Sequence, residues 1–320
     1  GVYQQMATSV GLPARDFNYA KATYGMDQAF RGVCSELLTH CAQNPPKPIY
    51  DAVLIDEAQD FPAEFFRLVW MFTKPPHRVV WAYDELQILS ESTMPSMTEM
   101  FGHDREGRPL LELRNDPNKA RQDIMLPVCY RNTPWALTVA HALGFGIYRD
   151  EGLVQHFDNP GLWGDIGYEV LAGTLGLGQH VVLRRAREAS PPFFHELLRP
   201  DDAVIAREFD TTADQDEWIA ASIRENLDTD ELDPEDILIV LPNSYTAKSR
   251  FGKLRTALAD HGLACHMPGY TSNPDTVFEP DSIAITHIFR AKGNEAAMVY
   301  VADCEYGTGG TNKVTRRNTI

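Results

Sequence analysis

Strand-length runs that are apolar almost throughout constrain this chain more than any other feature. Residues 52–55, 78–83, 123–128, 203–206, 237–241, 282–286 and 297–302 are of this kind. A strand with one face in water alternates apolar and polar residues. A strand covered by helices on both faces need not. Helical stripes lie among the runs. Phe251, Leu254 and Leu258 share one face, and Gly262 follows as a stop. Thr212 with Gln215 reads as a capping box ahead of Ile219, Ile223 and Leu227. Strands alternating with helices in this way predict an α/β chain with parallel sheets.

The 320 residues are 43% hydrophobic, which suits two domains, each with its own core. Asn115, Asp116, Pro117 and Asn118 cluster at a natural break, so the expected domains are 1–117 and 118–320. Residues 144–178 are glycine-rich, with Asn159 followed by Pro160, and read as loops. No apolar run reaches the roughly 18 residues a membrane span needs. The five cysteines form no CxxC pair and read as reduced thiols of an intracellular, cytoplasmic chain. None has zinc-ligand spacing with a histidine. A net charge of −16 argues against coating nucleic acid through bulk charge. It leaves room for a groove with a few local cations, a nucleotide ligand and protein partners.

One run ends abruptly in carboxylates. In "YDAVLIDEAQDFP", residues 50–62, the apolar stretch closes on Asp56, Glu57 and then Asp60. Ligands of parallel α/β sheets bind outside the carboxyl ends of the strands. Two acids there can share the work of phosphoryl transfer, Asp56 by holding Mg²⁺ and Glu57 by orienting and deprotonating a water. The bland alternative is that the pair caps the next helix, where acids are also favoured. A second run, "VVWAYDELQ", ends in Asp84 and, three residues on, Gln87. A glutamine in that place can hydrogen-bond a γ-phosphate.

"IDEAQD" followed by "AYDELQIL" resembles motifs II and III of superfamily I helicases of the UvrD/Rep type. "LPVCYRNT", residues 126–133, is similar to their motif IV, and "ITHIFRAKGNEAAMVYV", residues 285–301, to motif V. The stretch "FDTTADQDEWIAASIRENL" and the later "EDILIVLPNS" resemble a helix and strand of the family's second domain. The resemblance implies two RecA-like domains, the first incomplete here, acting on ATP and Mg²⁺ while moving along a single strand of nucleic acid, DNA rather than RNA. It implies Asp56 as the Mg²⁺ acid, Glu57 as the base, Gln87 as the γ-phosphate sensor and Arg131 as an arginine finger. Gly293 and Glu295 would border the nucleotide, the glutamate at its ribose.

The chain departs from the family pattern in several places. No GxxxxGK[ST] occurs, so the usual phosphate cradle is absent from these residues. "TRRNTI", ending at Ile320, resembles the opening of motif VI. The expectation is a fragment of a compact helicase that hydrolyses little or no ATP alone. A helicase-like binding or regulatory module without a motor cycle is the alternative. Tyr83 stands where motif III has glycine, and Phe289 where motif V has a polar residue, with His287 two places earlier. Trp70, Trp81, Trp135 and Tyr130 could stack on bases or fill cores. Arg184, Arg185 and Arg187 form a local basic cluster that either lines a strand path or is a solvated face.

Overall fold

The structure is a computed structural model and describes residues 1–87, 95–103, 106–146, 160–176 and 178–308. The chain divides into two compact units, Gly1–Ile124 and Met125–Ile320. It is a mixed α/β chain with parallel sheets in both units. Among the described residues no helix is long and apolar enough to cross a membrane.

In the first unit, β1 (Val53–Ile55) and β2 (Val79–Trp81) pair in parallel, with Leu54 opposite Val80. The helix Ala63–Phe72 makes the crossover. Its Phe65, Phe66, Leu68, Val69 and Phe72 are buried with Ile55 and with Cys34, Leu37 and Cys41 of the helix Ala29–Gln43. Each such side chain contributes about 1.5–3 kcal/mol by leaving water. Strand side chains alternate, so Val53, Ile55, Val79 and Trp81 pack on this core while Leu54 and Val80 point the other way. They are 80% and 60% exposed. The expectation that these strands are covered on both faces therefore does not hold among the described residues.

In the second unit, β5 (Ile237–Leu241), β6 (Cys265–His266), β7 (Ile283–His287) and β8 (Met298–Val301) form a parallel sheet in the order β6-β7-β5-β8. All five residues of β5 are buried. Ile219, Ala220 and Ile223 of the helix Thr212–Thr229 and Phe251, Leu254 and Leu258 of the helix Ala247–Asp260 complete that core. Gly262 adopts φ +69° just past the second helix, the left-handed geometry the stop requires. The capping box falls differently from its sequence reading. Thr211, not Thr212, caps the helix by accepting from the Asp214 amide, and Gln215 reaches Asp303 instead.

Three further readings are corrected. Residues 123–128 form no strand: Ile124 and Leu126 are exposed, Pro127 has no N–H, and no described strand pairs with them. Residues 203–206 form none either: Ala203 ends the short helix Pro200–Ala203, and Ile205 beyond it is exposed. The stretch read as loops contains β3 (Tyr168–Gly173), paired antiparallel with β4 (Val181–Arg185). Gly173, at φ +79°, closes that hairpin, where a Cβ would lie 2.0 Å from the His180 carbonyl oxygen. The motif VI resemblance, Asn159 and much of the glycine-rich stretch lie outside the described residues.

Candidate functional site

The first group of residues begins where β1 stops. Ala82 N donates to Ile55 O at 2.9 Å, and Ala58 N donates to Ala82 O at 2.9 Å. The backbone of the two strands thus stays stitched one step beyond the sheet. Glu57 sits in the left-handed region, at φ 50° and ψ 44°. A residue with a Cβ pays on the order of 1–2 kcal/mol for that conformation, and such outliers cluster at functional sites. The kink turns the chain into a 3-10 turn, Ala58–Asp60.

Side chains then link the two strand ends. Asp56 is exposed, and its Oδ1 accepts from Glu57 N at 2.9 Å. Glu57 Oε2 accepts from Gln59 Nε2 at 2.6 Å, and Gln59 Oε1 accepts from Asp84 N at 3.1 Å. Asp84 Oδ1 takes the Leu86 amide, and its Oδ2 takes Gln87 Nε2, both at 2.9 Å. Asp56, Glu57 and Gln87 are therefore brought together at the carboxyl edge of one parallel pair. Gln59, which sequence reasoning passed over, is the connection. The signal was faint: one amide among small and acidic residues, with nothing local to say that it would be buried.

Among the described residues no group of three or more His, Cys, Asp or Glu side chains could hold a metal ion. Mg²⁺ asks for less, keeping several waters and taking one or two carboxylates with substrate phosphates. A single exposed, hard oxygen donor at Asp56 fits that habit.

In the second unit Tyr130 is exposed, and Arg131 follows it just ahead of the Thr133-capped helix Pro134–Gly144. Arg131 Nε pairs with Glu295 Oε2. Gly293, two residues before that glutamate, takes φ +84° after the short helix Ile288–Ala291. The structure thus joins Arg131 to Glu295 and sets Gly293 in the turn Ala291–Asn294 that ends just before Glu295.

Nearby, the half-buried Arg290 donates to the Pro274 carbonyl. His287, at the end of β7, has its pKa lowered, first by burial and then by the charge on Arg290. Its Nδ1 and the adjacent Thr286 Oγ1 are buried with no hydrogen-bond partner among the described residues. Phe289 is exposed.

Other residues singled out in the sequence make contacts within the chain. Arg185 is buried and donates to the carbonyls of Pro127, Ile166 and Ala189, while Arg184 pairs with Glu169 at 2.8 Å. The basic cluster is therefore not a uniformly solvated face. Trp70 stacks on His77 with ring centroids 4.3 Å apart, Trp81 packs on Phe66, and Trp135 meets His195 edge to face. A buried arginine also escaped the sequence reading. Arg250 donates to both oxygens of Asp216 and to Asp303, tying two helices to the chain beyond β8. Burial alone would lower its pKa; the two carboxylates outweigh that and raise it. No protein-family model matches the chain, and no curated protein matches it.

Proposed function

We propose that this chain is most of the motor of an ATP-dependent superfamily I helicase or translocase, with two RecA-like domains, acting on single-stranded nucleic acid, DNA rather than RNA. The observation that carries the reading is the linked set at the ends of β1 and β2: Asp56, Glu57, Asp84 and Gln87 on adjacent parallel strands, held in one hydrogen-bonded chain. Strand-end carboxylates with a tethered glutamine suit a metal, a positioned water and a phosphate.

In this reading Asp56 holds Mg²⁺, which when bound neutralises charge on the phosphates. Glu57 orients the attacking water and accepts its proton. Gln87 hydrogen-bonds the γ-phosphate. By the family resemblance Arg131 is assigned as an arginine finger, and Gly293 and Glu295 as residues bordering a nucleotide. The reading carries a cytoplasmic setting and leaves room for protein partners. A second reading, a helicase-like module without turnover, is favoured by one observation: the 320 residues contain no GxxxxGK[ST].

ATP hydrolysis by the full gene product, with and without single-stranded DNA, separates the two. The motor reading expects stimulated turnover that drops about 10²–10⁴-fold in Glu57→Gln, the usual share of a general base. Absence of stimulation by any nucleic acid ends it. The isolated 320-residue chain is expected to hydrolyse little or no ATP.

A further inference from the structure

Two strand ends meet through one buried amide. Gln59 is 4% exposed, yet it makes bonds of opposite sense: Nε2 donates to the Glu57 carboxylate, and Oε1 accepts from the Asp84 amide. Asp84 in turn holds Gln87 through Nε2. A planar amide fixed at both ends transmits a displacement of either end to the other, and burial of the amide itself makes loss of either bond costly even though Glu57 is half-buried and Asp84 exposed.

We propose that Gln59 is a positioning residue that couples the Glu57 carboxylate to the turn at residues 84–87, so that a change at Gln87 is felt at Glu57. For turnover the inference rests on the motor reading, in which Gln87 senses phosphate and Glu57 is the base. The coupling itself is a property of the folded chain. Glutamine alone among residues of its size has the right donor and acceptor. Leucine keeps the volume and loses both bonds. Glutamate keeps an acceptor for the Asp84 amide but sets a second carboxylate against Glu57.

The test is a double-mutant cycle read by carbon-13 NMR on residues 1–320. The Glu57 carboxyl resonance is assigned by its loss in Glu57→Gln. Gln87→Ala is expected to shift it when residue 59 is glutamine and to leave it unmoved in the Gln59→Leu background. Gln59→Glu should uncouple Glu57 in the same way while keeping slow exchange of the Asp84 amide, which Gln59→Leu loses. A glutamine that merely packs would lower the melting temperature without removing the effect of Gln87. Equal shifts in both backgrounds, or no shift in either, overturn the proposal. If Gln59→Leu does not fold, the Gln59→Glu background completes the cycle. Failure of ATP hydrolysis would end the motor reading and leave this result standing on its own.

Discussion

At the end of β1, Asp56, Glu57, Gln59, Asp84 and Gln87 are joined in sequence by hydrogen bonds, with a buried amide in the middle. In the second unit Arg131 and Glu295 meet at the surface, their side chains 60% and 64% exposed. The scaffolds differ in the opposite sense. Strand β5 is wholly buried, whereas β1 leaves Leu54 in water. Solvent explains what separates the two sets. Bonds to a buried amide are lost only at the cost of desolvated polar groups. An exposed ion pair trades partners with water and salt almost freely. The first set is therefore fixed in advance, and the second is suited to taking a new partner, such as a phosphate.

The largest expected effect tests whether Arg131 does take such a partner. Arginine fingers contribute about 10³–10⁵ in turnover. Arg131→Ala in the full gene product should lower kcat for ATP by that order, with the chain still folded because an exposed pair adds little to stability. A loss under about tenfold would remove Arg131 from the proposed site and leave its pairing with Glu295 as a surface contact.

The two scaffolds can be compared directly by truncation. Ile239 lies in the middle of β5 and is 0% exposed, so Ile239→Ala should cost about 2–5 kcal/mol. Leu54→Ala, at the matching place in β1, should fall within about 0.5 kcal/mol. Urea unfolding measures both. A large loss at Leu54 would show that its face is covered in solution.

The same contrast governs what the sequence disclosed. Runs 237–241 and 282–286 were readable as strands because burial of a strand leaves a mark in composition, and runs 52–55, 78–83 and 297–302 carry the same mark although Leu54, Val80 and Val299 are exposed. The hairpin of β3 and β4 was not, since its outward residues and terminal glycine weaken that mark. Asp56, Glu57 and Gln87 were legible as positions because they close apolar runs. Arg131, Gly293 and Glu295 came only through resemblance, and the pairing of Arg131 with Glu295 is a tertiary fact. Gln59 and Arg250 were passed over, and Arg185 was read only as part of a basic cluster, for a shared reason. A polar side chain's burial is decided by partners distant in sequence, here Asp84, Pro127 and Asp303.

A smaller effect is expected at the edge of the second sheet. Burial, and then Arg290, hold the His287 pKa below its ordinary value of about 6.5. Below that pH the unfolded chain binds a proton that the folded chain resists. Stability from neutral His287 is thus intact above about pH 6.5 and is lost as pH falls through the folded pKa. His287→Gln should flatten the decline in urea midpoint on going from pH 7.5 to 5.5. An unchanged decline would assign it to other groups.

The smallest effect bears most directly on the difference between a buried amide and an exposed ion pair. Glu295→Gln should change unfolding free energy by less than about 1 kcal/mol, because surface pairs rarely exceed that. The change should vanish near 1 M salt, where charges are screened beyond about 3 Å. Gln59→Leu removes bonds of a neutral, buried group, so its cost should persist at the same salt concentration. Measuring both variants across a salt series therefore separates the two modes in one experiment. If the Glu295 effect survives high salt, the pair with Arg131 is fixed in the way the Gln59 bonds are. The second site would then have to break a preorganised contact before its arginine could meet a phosphate.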